Sequence, residues 1–242
     1  MNQNNIDNEI KYFDINELED YIVCPAKAVI NKIHSNRPIK EHIREGMRYG
    51  LNDLTIRSLD KTSIDTKQIH RVVSVIFKNL DYKDRDKDIS NLIVLYENLN
   101  KMLLEHEYTI TGSVMPFELS YNGIILKSSI DLVVKDVKRN LKYPVIVDFS
   151  KTKYEPFYNP IVYRCQTVAD HLQIGGTNTE VVVMSIASGK RWFFEKTKYK
   201  NLLNASIKET LECMALDLYP ARMSWICAGC AYRGICHKLI KL

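Results

Sequence analysis

Four cysteines near the two ends of the chain have residue types and spacing suited to a metal centre. The C-terminal tail contains Cys227, Cys230 and Cys236, a C-x2-C-x5-C spacing. Two thiolates separated by two residues can chelate one centre, and soft thiolates select iron–sulfur clusters or zinc. Cys24, in the sequence Tyr-Ile-Val-Cys-Pro, is the best candidate for a fourth ligand. We therefore predict a four-cysteine centre, an iron–sulfur cluster, with zinc as the alternative.

His237 and His34 are weaker substitutes for the fourth ligand. The two remaining cysteines, Cys165 and Cys213, each stand alone in an apolar helical pattern, so we interpret both as buried small hydrophobic residues. A disulfide framework is not expected in a reducing compartment.

Two aspartates lie within or at the end of apolar strand patterns. Asp131 falls in SSIDLVV and Asp148 falls in PVIVDFSK. An unpaired carboxylate is costly in such surroundings. Two carboxylates at the ends of adjacent strands form a natural site for Mg2+ or Mn2+, which can lower the pKa of bound water and offset phosphate charge. The alternative is that both are ordinary strand-end residues facing solvent.

The elements that must position these residues are first helical. Helical periodicity predicts four N-terminal helices, in LEDYIVCPAKAVINKI, EHIREGMRYGLNDLTIRSL, QIHRVVSVIFKNL and NLIVLYENLNKMLLEHE. Asp14 and Glu17 indicate the start of the first helix, and the Cys24–Pro25 pair predicts a kink or break in it. The charged stretch DYKDRDKD is predicted to be a solvated loop.

The pattern then changes to strands. SVMPFELSY, IILKSSIDLVVKDV and YPVIVDFSK predict three consecutive strands, with a turn at Asn122–Gly123 between the first two. A helix in PIVYRCQTVADHLQI is predicted to end at Gly175–Gly176. TEVVVMSIA and RWFFEK predict two further strands, and residues 198–218 a last helix. This order indicates one mixed α/β unit with a helical N-terminal layer.

Composition limits the class of protein. The chain has 242 residues, 45% of them hydrophobic, which is enough for one substantial core. No apolar run approaches the ~20 residues that cross a bilayer, and the polar, acidic start MNQNNIDNEIKYFD is not a secretory signal. We expect a cytoplasmic, intracellular protein with no membrane partner. The net charge of +5 permits contact with phosphates without requiring it.

Together these segments resemble the PD-(D/E)XK nuclease superfamily, and within it the RecB/AddB-like branch with an iron–sulfur staple, which includes CRISPR-associated exonucleases. That branch has a Y-x-x-C-P-x-K/R helix, similar to YIVCPAK around Cys24, and a later C-x2-C-x5-C motif similar to that of the tail. Its G-R-I-D motif resembles SSID, which ends at Asp131. Its V-V-D-Y-K-T motif resembles IVDFSK, which contains Asp148, and its glutamine helix resembles the segment around Gln166.

The resemblance implies a restriction-endonuclease-like mixed sheet flanked by helices, with a helical N-terminal layer and a four-cysteine 4Fe-4S cluster joining the N- and C-terminal regions. It implies residues 1–112 as the helical region with the first cluster cysteine and 113–196 as the nuclease-like core. Residues 197–242 would then be the C-terminal helix and cysteine tail. It also implies DNA as the partner, Asp131 and Asp148 as ligands of Mg2+ or Mn2+, and a substrate-orienting role for Gln166.

The chain departs from the family at the lysine that follows the second acid. Ser150 occupies that position, and the adjacent Lys151 has the wrong parity for a regular strand. A bulge that turns Lys151 inward, or Lys127 on the neighbouring strand, would supply the catalytic ammonium. The branch's histidine after a glycine is absent around Gly46 and Gly50, and its motif tyrosine is Asp170 here.

Three functions follow as hypotheses. The first is a metal-dependent DNA exonuclease or endonuclease. The second is a catalytically inactive nuclease-fold protein that binds DNA or serves as a subunit of a replication, recombination or transcription complex. The third is a zinc-stapled binding module unrelated to nucleases, which would be colourless, whereas an iron–sulfur protein absorbs near ~400 nm.

Overall fold

A computed structural model describes residues 11–16, 18, 21, 24–26, 29, 39–121, 124–149, 161–177, 180–197 and 199–215. Several predicted features fall outside these residues. They are the turn at 122–123, Ser150, Lys151 and the tail cysteines Cys227, Cys230 and Cys236.

The helices of the described ranges are α1 (Ile39–Arg57), α2 (Thr66–Phe77), α3 (Arg85–Glu105), α4 (Ile161–Ile174) and α5 (Lys200–Ala215). Asp65 caps α2 by accepting a hydrogen bond from the Lys67 N–H at 2.9 Å. α3 begins inside the segment predicted to be a loop, because Asp86 and Asp88 in its first turn favour a helix N-terminus. Within these ranges, no helix is both long and apolar enough to cross a membrane.

Helical residues also precede α1. Residues 15, 16, 18 and 21 are helical, as are residues 25, 26 and 29, whereas Cys24 between them is not. The Asp14 carboxylate accepts a hydrogen bond from the Asn16 N–H at 2.8 Å, as expected of a helix cap. Pro25 lacks a backbone donor, which is the physical reason for an interruption at this point. The predicted helix start at Asp14 and the break at Cys24–Pro25 are confirmed.

The strands of the described ranges are β1 (Lys11–Asp14), β2 (Tyr108–Gly112), β3 (Met115–Tyr121), β4 (Ile124–Ile130), β5 (Leu132–Asp136), β6 (Leu141–Asp148), β7 (Val181–Ser185) and β8 (Lys190–Phe194). They form a three-stranded sheet of order β1-β4-β3 and a five-stranded sheet of order β2-β5-β6-β7-β8. The β1–β4 and β6–β7 pairs are parallel and the other pairs are antiparallel. Both sheets are therefore mixed.

The segment predicted to be one long strand is divided at Asp131. β4 ends at Ile130 in the three-stranded sheet, and β5 begins at Leu132 in the five-stranded sheet. The Asp131 N–H donates to the Val145 carbonyl at 3.1 Å, and Leu132 is the register partner of the same Val145. Asp131 and Leu132 thus both lie opposite a single residue of β6, Val145. This is the arrangement of a β-bulge, which bends a strand. Asp131 thus occupies the corner at which the chain passes from one sheet to the other.

The five-stranded sheet has a core on each face. The helical-layer core lies against α1, α2 and α3 and includes Leu54, Ile69, Val73, Leu99, Leu132, Val134, Val145, Val147, Val182 and Met184. The α4-side core lies against α4, α5 and the three-stranded sheet and includes Phe13, Ile15, Leu18, Leu126, Ile146, Val168, Val181, Val183, Leu203 and Ile207. Burial on both faces is common for paired parallel strands such as β6 and β7.

These cores confirm the mixed α/β organisation with a helical N-terminal layer. The described strands form two mixed sheets and not the single sheet that the resemblance implies, and the restriction-endonuclease-like architecture stays a prediction. β1 and β2 both precede residue 113, yet they pair with β4 and β5. The division into residues 1–112, 113–196 and 197–242 stays a prediction.

Candidate functional site

Asp131 has a hydrogen-bond donor at each carboxylate oxygen. The residue is 4% exposed. Its Oδ2 accepts a hydrogen bond from the backbone N–H of Val147 at 2.8 Å, and its Oδ1 accepts one from Nη2 of Arg164 at 2.5 Å. A carboxylate in an apolar interior is tolerated when it is paired and hydrogen-bonded in this way. The bulged corner between the two sheets brings the side chain to both partners.

Arg164, in the first turn of α4, joins that helix to the corner. The Arg164 and Asp131 side chains are 7% and 6% exposed, so their ion pair is buried. The same Nη2 lies 3.1 Å from the Ser129 hydroxyl and 3.3 Å from the Ser129 carbonyl oxygen, both of which accept hydrogen bonds. One turn along α4, the Thr167 hydroxyl lies 3.0 Å from that of Ser128. A row of hydrogen-bonded polar side chains therefore crosses the α4-side core between α4 and the end of β4.

Asp148 lies at the end of β6, on the side of the sheet that faces α4. Alternate strand residues face opposite sides. Ile146 belongs to the α4-side core, whereas Val147 and Phe149 pack with the helical-layer core. Asp148 therefore shares the face of Ile146, and this is also the side on which Asp131 meets α4. It is 5% exposed and in register with the buried Ser185 of β7.

The burial of both aspartates rules out one interpretation of them. At 4% and 5% exposure, Asp131 and Asp148 are not strand-end residues facing solvent, so that interpretation is wrong. They lie on one side of the sheet near the adjoining ends of β5 and β6. Their role as a metal-binding pair stays a prediction.

Lys127 lies on the surface of β4. Its ammonium nitrogen is 3.5 Å from Oε1 of Glu118, its cross-strand neighbour, and 5.0 Å from the centre of the Tyr12 ring. Within the described ranges, no hydrogen bond or ion pair joins Lys127 to Asp131. The bulge at Asp131 breaks the regular alternation on which their predicted shared face depended. Lys151 lies outside the described residues.

Gln166 is buried on α4 but belongs to a different group of polar residues. Its Nε2 donates to Oδ1 of Asp170 at 3.0 Å, and Oδ2 of Asp170 accepts a hydrogen bond from the Tyr121 hydroxyl at 2.5 Å. The Lys200 ammonium lies 3.8 Å from the same Asp170 carboxylate. Burial, reinforced by the bond to Asp170, raises the pKa of Tyr121. In the described residues, no hydrogen bond connects Gln166 to Asp131.

A cavity of about 490 Å³ opens beside Asp170, between β3, α4 and α5. Its lining residues are Leu119, Ser120, Tyr121, Asp170, Gln173, Ile174, Lys200 and Asn204. The described residues lining it do not include Asp131 or Asp148, so it is separate from the predicted metal site.

Sequence reasoning missed Arg164. The signal was present, because a guanidinium within the otherwise apolar stretch PIVYRCQTVA requires a buried partner. That partner is supplied by Asp131, 33 positions earlier in the chain.

Of the four predicted cluster ligands, Cys24 alone falls in the described ranges, where it is partly exposed and not in a disulfide. Among the described residues there is no group of three or more His, Cys, Asp or Glu side chains that could hold a metal ion. Cys165 is fully buried in the α4-side core, as predicted. Cys213 on α5 is partly exposed, so its predicted burial is wrong. The four-cysteine centre stays a prediction.

The fold and this geometry define a mixed α/β protein with a buried carboxylate–guanidinium pair where its two sheets meet. Neither a protein-family model nor a curated protein sequence matches the chain. Among solved structures, it is similar to one described as the crystal structure of SSO0001, with a TM-score of 0.44 and 11% sequence identity over 94% of this chain and 86% of that one. A likeness at this level establishes neither a family nor a function.

Proposed function

We propose that this protein processes DNA as a metal-dependent nuclease of the PD-(D/E)XK, RecB-like type. The observation that supports this most is the burial of Asp131 and Asp148 on one side of the five-stranded sheet, where each apolar strand reaches its end. Carboxylates are costly in such a place unless a partner compensates them. The order of the motifs along the chain supports the same proposal.

The donor chemistry of the two aspartates fits Mg2+ or Mn2+, because both ions prefer carboxylate oxygens. When bound, such an ion lowers the pKa of water and offsets charge on a phosphate. The chain itself orients one ligand, since the Val147 N–H and Arg164 fix the Asp131 carboxylate. Lys127 is about half exposed and pairs with Glu118, so we assign the assisting ammonium to Lys151. The proposal keeps Gln166 as the residue that orients substrate.

The four-cysteine staple is the second part of the proposal. Cys24, Cys227, Cys230 and Cys236 would hold a 4Fe-4S cluster, or zinc as the alternative. Support comes from the α4-side core, which contains Ile15 and Leu18 of the segment before Cys24 as well as Leu203 and Ile207 of α5. The segment before Cys24 and the helix before the three tail cysteines therefore pack into the same core.

The nuclease proposal is tested with the full chain, end-labelled single- and double-stranded DNA, and Mn2+. Cleavage is expected, and Asp148→Asn is expected to reduce it at least about a hundredfold, because a metal ligand supports several kcal/mol of transition-state stabilisation. Asp136→Asn is the matched control, since Asp136 is a buried aspartate of β5 whose carboxylate accepts the Arg139 N–H. Absence of cleavage, or cleavage undiminished in Asp148→Asn, would reject the proposal.

A second function is favoured by the Asp131–Arg164 ion pair. A guanidinium already neutralises one of the two acids, as expected of a nuclease fold retained to bind DNA or to serve as a subunit of a larger complex. This alternative predicts DNA or partner binding that persists in Asp131→Asn and Asp148→Asn, with no Mn2+-stimulated cleavage. Binding to DNA should weaken steeply as salt increases, because phosphate contacts release counterions.

A further inference from the structure

We propose that Arg164 acts as an internal cation that lowers the affinity of the Asp131–Asp148 site for divalent metal ions. The inference rests on the proposed function in one respect, namely that these two acids are the metal ligands. It goes further in assigning to a residue of α4 the control of how tightly that site binds its ion.

The Arg164 guanidinium contacts the Asp131 carboxylate directly. Arg164 Nη2 lies 2.5 Å from Oδ1 of Asp131, and both side chains are more than nine-tenths buried. Water and salt screen buried charges much less than exposed ones. The guanidinium charge is therefore felt strongly at the carboxylate that an arriving ion would use.

The positive charge of Arg164 is permanent. A guanidinium does not lose its proton in proteins. A divalent ion at Asp131 must therefore bind beside a fixed positive charge, or the guanidinium must leave Oδ1. Either course lowers the affinity for the ion relative to a site in which that position carries no charge.

Further hydrogen bonds anchor Arg164 in this position. Besides Asp131, it donates to the hydroxyl and the carbonyl oxygen of Ser129, and α4 around it is buried along most of its length. Displacement of the guanidinium would have to break these bonds inside the α4-side core. The ion pair is consequently the resting arrangement of the site.

The test is the affinity for Mn2+ alone, measured by isothermal titration calorimetry and by the electron paramagnetic resonance of free Mn2+ on the full-length protein. Arg164→Gln removes the charge but keeps an amide that can donate hydrogen bonds, and is expected to raise the affinity at least about tenfold. Arg164→Lys keeps the charge and should show no such gain. Lys127→Met removes an exposed positive charge and should change the affinity less than about twofold.

The site is located by adding Asp148→Asn to Arg164→Gln, which should abolish the gain. A folded Arg164→Gln protein with unchanged or reduced Mn2+ affinity would overturn the inference. A gain of the same size in Arg164→Lys, which keeps the positive charge, would overturn it as well. A protein that never cuts DNA but gains affinity in Arg164→Gln would refute the nuclease proposal and leave this inference standing.

Discussion

Asp131 accepts hydrogen bonds from the β6 backbone and from Arg164, so a single side chain connects β6 with α4. Its own N–H is bonded to Val145, which also fixes the bulge at the start of β5. At the scale of the residue, this aspartate therefore has a structural role whether or not it binds a metal ion. A loss of activity in an Asp131 variant must accordingly be separated from a loss of stability.

Asp131→Ala is expected to lower the free energy of unfolding by about 3–5 kcal/mol, because it removes one partner of a buried ion pair and leaves the other in the core. Urea unfolding followed by circular dichroism measures the change. Glu118→Ala is the matched control, since its ion pair with Lys127 is about half exposed and should contribute no more than ~1 kcal/mol. Equal losses in the two variants would mean that the buried ion pair contributes no more to the free energy of unfolding than the exposed one.

His106 predicts a pH dependence of stability. Burial, and secondly the positive charge of Arg191, lower the pKa of His106 below its ordinary value of 6.5, while Glu105 and Asp136 act more weakly in the opposite direction. The unfolded chain then binds a proton more readily than the folded one, so stability falls as the pH drops through 6.5 towards the lower folded pKa.

His106→Gln should therefore lose less stability than the wild type between about pH 7.5 and pH 5.5. The urea midpoint at the two pH values measures this difference. His70→Gln, which removes an exposed histidine of α2, controls for the loss of one imidazole. A wild type and a His106→Gln variant with the same pH dependence would contradict the prediction.

At the scale of the elements, the close approach of α1, α2 and α3 depends on Gly50. A Cβ atom at this position would lie 2.5 Å from the Tyr96 hydroxyl, 2.8 Å from Cγ1 of Val72 and 2.9 Å from Cδ1 of Ile76. The Tyr96 hydroxyl donates to the Met47 carbonyl at 2.6 Å, so it is not free to move aside. α2 and α3 therefore meet α1 at a point where only glycine fits.

Gly50→Ala is expected to destabilise the fold by about 1–3 kcal/mol through overpacking, and the better helix propensity of alanine, worth roughly 1 kcal/mol, offsets only part of this. Thermal or urea unfolding measures the change. Gly175→Ala is the control, because a Cβ atom there would make only ordinary contacts, the nearest at 3.6 Å. A Gly50→Ala protein as stable as the wild type would show that α2 and α3 can shift without cost.

The sequence predicted those elements whose patterns are local. The period of α1 and α2, the glycines after α4 and the β-branched runs of β6 and β7 all identify their elements within a short window. β1 could not be found in this way, because KYFD is a strand through its pairing with β4, more than a hundred residues later. The division of β4 from β5 was also hidden, since apolar alternation continues across Asp131 while the chain changes sheets.

The same limit applies to the candidate site. Asp131 and Asp148 could be selected as candidates from the sequence because a charge within an apolar strand is conspicuous. Both are buried, and their role as metal ligands stays a prediction. The partner of Asp131 could not be selected, because nothing in the sequence near Arg164 or Asp131 indicates which buried charges meet. Lys127 was placed near Asp131 by strand parity, and the bulge removes the basis of that inference.

For the whole molecule, the five-stranded sheet separates two cores, and the corner at Asp131 links that sheet to the three-stranded one. The N-terminal segment enters the α4-side core through Phe13, Ile15 and Leu18, and α5 enters it through Leu203 and Ile207. The two chain regions that carry the proposed ligands are thus attached to one core. A centre that joined them would oppose the separation of either region from it.

The proposed four-cysteine staple predicts that substitution of one cysteine lowers the stability of the whole fold. Cys24→Ser should abolish broad absorption near ~400 nm and the iron content of anaerobically purified protein, because a serine hydroxyl is a poor ligand for iron–sulfur centres. It should also lower the free energy of unfolding by about 5 kcal/mol, the chain-entropy value for closing a loop of about 200 residues. Cys213→Ser, which changes a partly exposed cysteine of α5, should leave both properties unchanged.

Metal content by mass spectrometry, absorption and urea unfolding provide the measurements, and a colourless wild type with one zinc per chain would replace the cluster by zinc. A Cys24→Ser protein that retained its metal and its stability would remove Cys24 from the ligand set, and with it the staple and the resemblance to the iron–sulfur nucleases.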